Sequence, residues 1–195
     1  MSSRPGVRIV MSTFLVLIAL SGCSISTSKD SRTGRDKDVD IRTPLGSISV
    51  HTGESDPKAT GLALYPGAQL KKNLGNDEGG SANVNVSSSF FGVKVVALKY
   101  QSNDAPDKVL SFYRKEMAKY GKVVDCTGGF NMGFHHHDKD AEVTCDDHHG
   151  SGREYREELK VGTENNQRIV AVRPSGDGSE FALVYVRAWD DKSTM

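Results

Sequence analysis

The chain has 195 residues, with 25 Lys and Arg against 25 Asp and Glu, a formal net charge of zero and a pI near 7.0. That balance leaves no basic excess to neutralise a phosphate backbone, which argues against a nucleic-acid binder, and no acidic block of the kind that makes a solvating tail. No apolar run reaches the roughly 18 residues that crossing a bilayer needs, and the length fits one domain with flanking segments.

Residues 1–22 carry Arg4 and Arg8, then a short apolar run from Ile9 to Leu20, then Ser21-Gly22. Charged, apolar, small is the order of a secretory signal peptide, and the apolar run is too short for a membrane helix. The competing reading, a buried helix of the mature fold, leaves that order unexplained. Leu20-Ser21-Gly22-Cys23 resembles the lipobox of bacterial lipoproteins. The resemblance implies a thioether-linked diacylglycerol on Cys23, cleavage before it, and acylation (palmitate is typical) of the new N-terminus. A buried methylene contributes about 0.8 kcal/mol, so several chains hold a protein where one alone is marginal. In the lipoprotein pattern an Asp after the Cys retains the protein at the inner membrane. Ser24 stands there instead, which implies the outer membrane, facing the periplasm. The alternative is an ordinary cleaved signal with a chance Cys. Loss of Arg4 and Arg8 leaves 23 cations against 25 anions, a net charge of −2.

Ser24 to Asp38 is rich in Ser, Thr, Lys and Asp, with Ile25 its one large apolar residue, so 23–38 is expected to be a flexible tether. Val39 to His51 alternates apolar and polar residues around Thr43-Pro44-Leu45-Gly46 and predicts a short β-hairpin, with a polar loop following to residue 60. A lone hairpin is marginal in water and must dock on something. The main domain, 61–189, opens with Leu62 to Ala68, where Pro66-Gly67 marks a turn. Asn73 to Ser81 reads as a loop, and Val84 and Val86 as a half-exposed strand. Phe90 to Tyr100 is the longest strand candidate. Its apolar residues fall on both parities, which predicts either a bulge or burial of both faces.

The helix is predicted over 105–120. Asp104 is a suitable N-cap, Pro106 fits the first turn, and Asp107 takes the third position, where the dipole favours it. Val109, Phe112, Tyr113, Met117 and Tyr120 recur at helical spacing, and Gly121 is a natural stop. The aromatic stripe is read as a core face rather than a ligand face. Strands are then expected at Lys122–Cys126, Ala141–Cys145, Glu157–Val161, Arg168–Arg173 and Phe181–Ala188. The last two flank the turn cluster Pro174 to Ser179, Trp189 closes the core edge, and 190–195 is a tail. Strands, one helix, then strands lack the alternation of a doubly wound fold. The expected class is α+β: an antiparallel sheet with one main helix on one face, plus the N-terminal hairpin.

Tyr65-Pro66-Gly67-Ala68, followed by Asp104-Ala105-Pro106, Val109 and Phe112-Tyr113, is similar to a class of secreted bacterial domains with a YPGA segment and a D-x-P-x-x-V-x-x-FY helix. The similarity covers roughly 62–121. It implies a small helix-on-sheet envelope domain and brings no catalytic residues.

With Cys23 acylated, Cys126 and Cys145 remain as a pair in a compartment that permits disulfides. Closing the loop of 18 residues between them would contribute about 3 kcal/mol in the chain-entropy model. If both end the strands of one simple hairpin they would not face each other, so free thiols and metal ligation stay open. Five of the six histidines, His135, His136, His137, His148 and His149, lie within fifteen residues, among four Asp, Glu142 and Cys145. Imidazoles and carboxylates ligate Zn, Ni or Cu. The bland reading is a solvated polar loop, given the flanking Gly128, Gly129, Gly133, Gly150 and Gly152. A pH-sensing role is the third. No GxSxG, HExxH, Walker or dinucleotide motif is present, so no enzyme, catalytic residue or cofactor is expected. The expected function is a membrane-anchored envelope lipoprotein acting as a binding or scaffolding module for an envelope protein partner. The alternative is a metal-binding lipoprotein built on the His-rich loop 135–149.

Overall fold

Segments with apolar residues at every second position become strands in the computed structural model, which describes residues 23–29, 36–52, 56–71, 81–127, 140–145 and 157–190. The strands are β1 (Ser24–Lys29), β2 (Asp36–Thr43), β3 (Gly46–Thr52), β4 (Gln69–Leu70), β5 (Ala82–Ser88), β6 (Phe91–Ser102), β7 (Val124–Thr127), β8 (Glu157–Thr163), β9 (Asn166–Ser175) and β10 (Gly178–Asp190). They form one sheet in the order β1-β2-β3-β5-β6-β10-β9-β8-β7, and β4 pairs with the far end of β6. Every pairing is antiparallel. Among the described residues one α-helix, α1 (Pro106–Met117), continues into a 3-10 turn at Ala118–Tyr120. The class is the expected α+β.

The two apolar parities of β6 go to opposite faces of the sheet. β6 and β10 pair from Phe91↔Asp190 to Ser102↔Ser179 without a bulge. On one face Val96, Leu98 and Tyr100 join Phe181, Leu183, Val170, Val172, Leu159 and Val161 beneath Val109, Leu110, Tyr113 and Met117 of α1. Each such side chain, once fully buried, contributes about 1.5–3 kcal/mol. The aromatic stripe is therefore core. On the other face Val95 and Ala97 pack with Ile169, Ala171, Ala182, Val184 and Val186. That parity continues outward through Val84 and Val86, Ile48 and Val50, and Val39 and Ile41, matched pairwise in register. Burial of both faces, not a bulge, explains the sequence pattern.

Three local expectations are corrected. Ser24–Lys29 is not a tether but an edge strand, paired with β2 from Ser24↔Arg42 to Lys29↔Asp36. Ladder hydrogen bonds and the pairs Ile25↔Ile41 and Thr27↔Val39 suffice where composition alone predicts no burial. Asp104 does not cap α1. Pro106 takes the first helical position and holds Ala105 extended as the N-cap, with no side-chain cap bond. Asp107 accordingly sits at the second helical position rather than the third. Finally, Ala141–Cys145 makes only the isolated bridge Glu142↔Thr163. β7 already occupies the edge of β8 from Glu157 to Lys160, so only the last residues of β8 are left for it, where Val143 N donates to the Gly162 carbonyl at 3.1 Å.

Candidate functional site

The register brings Cys23 to one end of the sheet. Its thiol is free and exposed, and β1 begins at the next residue. Ser24↔Arg42 sets it beside the turn at Pro44-Leu45, and Gly46↔Ser88 sets that turn beside the one at Ser89-Phe90. Both turns are tied by hydroxyls, as Ser and Thr side chains do when they mimic backbone turns. Thr43 Oγ1 donates to the Gly46 carbonyl at 3.0 Å and accepts from Leu45 N at 3.3 Å. Ser88 Oγ donates to the Phe91 carbonyl at 3.0 Å and accepts from the Phe90 and Phe91 amides at 3.2 and 3.1 Å. Between the turns lies an open recess of about 510 Å³, lined by Arg42 and by Thr, Pro, Leu, Gly and Ser residues. β10 ends here too, with Trp189 over Gly92, where an added Cβ would come within 2.0 Å of the indole ring.

Cys126 on β7 and Cys145 form a disulfide, with Cα atoms 5.5 Å apart. The geometric objection disappears because Cys145 does not end a strand paired with β7. His135, His136, His137, His148 and His149 lie outside the described residues. Among the described residues no three His, Cys, Asp or Glu side chains gather as a metal site. His51, the remaining histidine, has Nδ1 at 3.2 Å from an Asp38 carboxylate oxygen.

The YPGA segment and α1 meet in a polar node inside an aromatic cluster. Tyr65 N donates to the Tyr113 hydroxyl at 3.1 Å, and the Tyr65 hydroxyl donates to Asp104 at 2.9 Å. Lys108 Nζ donates to the same carboxylate at 2.8 Å. Lys108 first, then Tyr65, hold the Asp104 carboxyl below the usual range. Burial pushes the Tyr113 phenol well above the ordinary tyrosine range. Glu116 accepts from Lys119 and, at 3.2 Å, from the Ala63 amide, which together keep it ionised below its ordinary value. The Arg168 guanidinium lies 3.7 Å from the centroid of Tyr120 and 4.9 Å from that of Tyr185, and its Nε donates to the Thr60 carbonyl at 3.1 Å. These groups join the loop 56–68 to the helix and sheet, a structural task.

Sequence reasoning missed a buried carboxylate. Glu180, almost fully enclosed, accepts from Lys71 at 2.5 Å and Arg173 at 2.7 Å. Burial alone would raise its pKa, but the Lys71 hydrogen bond and the Arg173 charge outweigh it, and the carboxyl sits below the ordinary range. The available signal was a lone acid just before the apolar run Phe181 to Val186. A second, smaller recess of about 420 Å³ at the opposite end of the sheet is lined by Gln101, Ser102, Asn103, Ser175, Asp177, Gly178 and Ser179, with no large apolar side chain among them.

The chain matches no family model, no curated protein and no solved structure. Among the described residues no helix is long and apolar enough to cross a membrane.

Proposed function

We propose that the protein is a lipid-anchored envelope protein, acylated on Cys23 after removal of residues 1–22 and held at the outer membrane facing the periplasm. Its helix-on-sheet domain, of the YPGA class, acts as a non-enzymatic binding or scaffolding module. The observation that carries this reading is the lipobox ending at an exposed, unpaired cysteine that immediately precedes the first strand. The disulfide Cys126–Cys145 supports export, because such bonds persist in oxidising compartments. The N-terminal strand pair β2–β3 then extends the sheet toward the anchor. Mass spectrometry of the mature N-terminal peptide tests the reading. It should begin at Cys23 and carry diacylglycerol plus an amide-linked acyl chain, and Cys23→Ser should abolish both processing and added mass. An unmodified Cys23 refutes it.

The second reading is a metal-binding lipoprotein using His135, His136, His137, His148 and His149 with Zn, Ni or Cu. The disulfide favours it, since it holds together the two ends of the segment that carries the first three and sits three residues from His148. The oxidised, untagged protein should then retain about one equivalent of metal at sub-micromolar affinity, lost when the five histidines become alanine. Retention by that variant excludes the loop as the site.

A further inference from the structure

Exposed apolar side chains concentrate at the end of the sheet that carries Cys23. Leu45 is 76% exposed, Phe90 69%, Ile25 69% and Phe91 52%. Leu45 and Phe90 occupy the two adjacent turns, Phe91 starts β6, and Ile25 follows Ser24 on the edge strand. Ile25 also begins a row, Ile25↔Ile41↔Ile48↔Val86↔Val93, that crosses five strands just behind this rim. Turns ordinarily carry polar residues, and two neighbouring turns that hold Leu45 and Phe90 exposed, with Phe91 exposed at the start of β6, are costly unless something covers them. The chemistry of the rim is also selective. From Thr43 to Ser49 and from Asn83 to Phe91 there is no charged residue. Arg42 supplies a cation beside the recess, and Asp190, opposite Phe91, is the acid that closes β10.

The anchor fixes what covers it. β1 starts at Ser24, so one residue, about 3.5 Å of chain, separates the thioether from the ladder. Acyl chains attached there leave the rim no room to stand away from the lipid headgroups. Resting on the acylation of Cys23 proposed above, we infer that this rim docks on the bilayer. Leu45, Phe90 and Phe91 seat at the boundary between headgroups and acyl chains, and Arg42 meets lipid phosphates. Apolar and aromatic side chains with a flanking cation are the composition that binds this interface. The sheet then stands end-on. The β9–β10 turn at Gly176-Asp177 lies at the other end of the thirteen-residue β10, about 40 Å away.

The test uses the full, processed, acylated protein in phosphatidylcholine–phosphatidylglycerol vesicles, with and without bromine on the acyl chains. Phe90→Trp and Asp177→Trp each add a fluorophore to the single native tryptophan. Brominated lipid should remove about half or more of the fluorescence added at position 90 and leave that added at position 177 unchanged, since bromine quenches only at the acyl depth the rim reaches. Leu45→Trp gives the same readout should Phe90→Trp not fold. Protein that carries its acyl chains and stays on the vesicles, yet is quenched at neither site, overturns the docking and leaves the anchorage standing; the rim then serves a protein or a second copy. Equal quenching at both ends overturns the end-on orientation. Protein without acyl mass that leaves the vesicles overturns the anchorage, and the docking with it.

Discussion

Tyr113→Phe deletes a single oxygen from the interior. Tyr113 is completely buried, and its hydroxyl accepts the Tyr65 amide at 3.1 Å. Its ring meets Phe112 at 5.0 Å and Phe181 at 5.6 Å between centroids, contacts that phenylalanine keeps. The loss is therefore confined to one hydrogen bond and to the donor it abandons. A satisfied hydrogen bond contributes about 1 kcal/mol net, whereas a buried donor left without a partner costs about 1–3 kcal/mol. The expected destabilisation is about 2 kcal/mol. Tyr65→Phe is the internal control: its hydroxyl reaches Asp104, whose side chain is 39% exposed, so water replaces the lost bond. Urea unfolding reads both. With a slope of about 2 kcal/mol per M, Tyr113→Phe should lower the midpoint by about 1 M at unchanged slope. The Tyr65→Phe shift should be well under half of that. Equal shifts, or a larger one for Tyr65→Phe, would refute the claim that burial of the acceptor decides the cost.

Glu180→Gln leaves Lys71 and Arg173 facing a neutral amide and should cost about 1–3 kcal/mol, read as a lower melting temperature; an unchanged melt would mean that the burial cost of the carboxylate cancels both ion pairs. Reducing the Cys126–Cys145 bond, or replacing both cysteines by serine, should remove about 3 kcal/mol, measured by urea unfolding with and without reductant, and coincident curves would contradict this. Asp104, Glu116 and Glu180 all titrate below their ordinary range when folded. Their contribution is thus complete above the unfolded carboxylate range near pH 4 and is lost as pH falls through the folded values. Melting temperature should hold down to about pH 5 and fall below about pH 4, and a rise on acidification would reverse the sign. Gly92→Val drives a side chain into the Trp189 ring and should cost at least about 1–3 kcal/mol, with a red-shifted tryptophan emission; an unaltered spectrum would place the indole elsewhere.

The elements that bury most were legible from periodicity alone. The helix, the strand at Phe90–Tyr100 and the closing strands at Arg168–Arg173 and Phe181–Ala188 all occur, each within a few residues of the expected ends. What escaped depended on hydrogen bonds or on who reaches an edge first. Ser24–Lys29 has one large apolar residue, so composition reads it as solvated chain, yet an edge strand needs only backbone partners on one side. Ala141–Cys145 has strand character, but β7 takes most of the β8 edge and leaves it only the end at Thr163. The capping error is a shift of one residue: Pro106 imposes the first helical position, and Asp104 is left to bind Tyr65 and Lys108. Of the candidate site residues, Cys126 and Cys145 are joined as a disulfide, and Cys23 lies exposed just before β1. Sequence reasoning did not single out Leu45, Phe90 and Phe91 as a group, because the register that brings their turns together is set by strands far apart in the chain.

The strand order has a consequence for how the chain assembles. β10 is the last described strand in the sequence and sits in the middle of the sheet, between β6 and β9. From Ser102 to Ser179 the chain makes a detour of 77 residues before the two central strands can meet. The disulfide cuts 18 residues out of that detour, which eases its closure by only about 0.2 kcal/mol. Until β10 arrives, β1-β2-β3-β5-β6 and β7-β8-β9 are two separate ribbons, each with an open edge facing the gap. An early stop that removes Gly178–Asp190 would therefore not shorten the domain but split it down its centre, leaving two sticky edges in place of one closed seam.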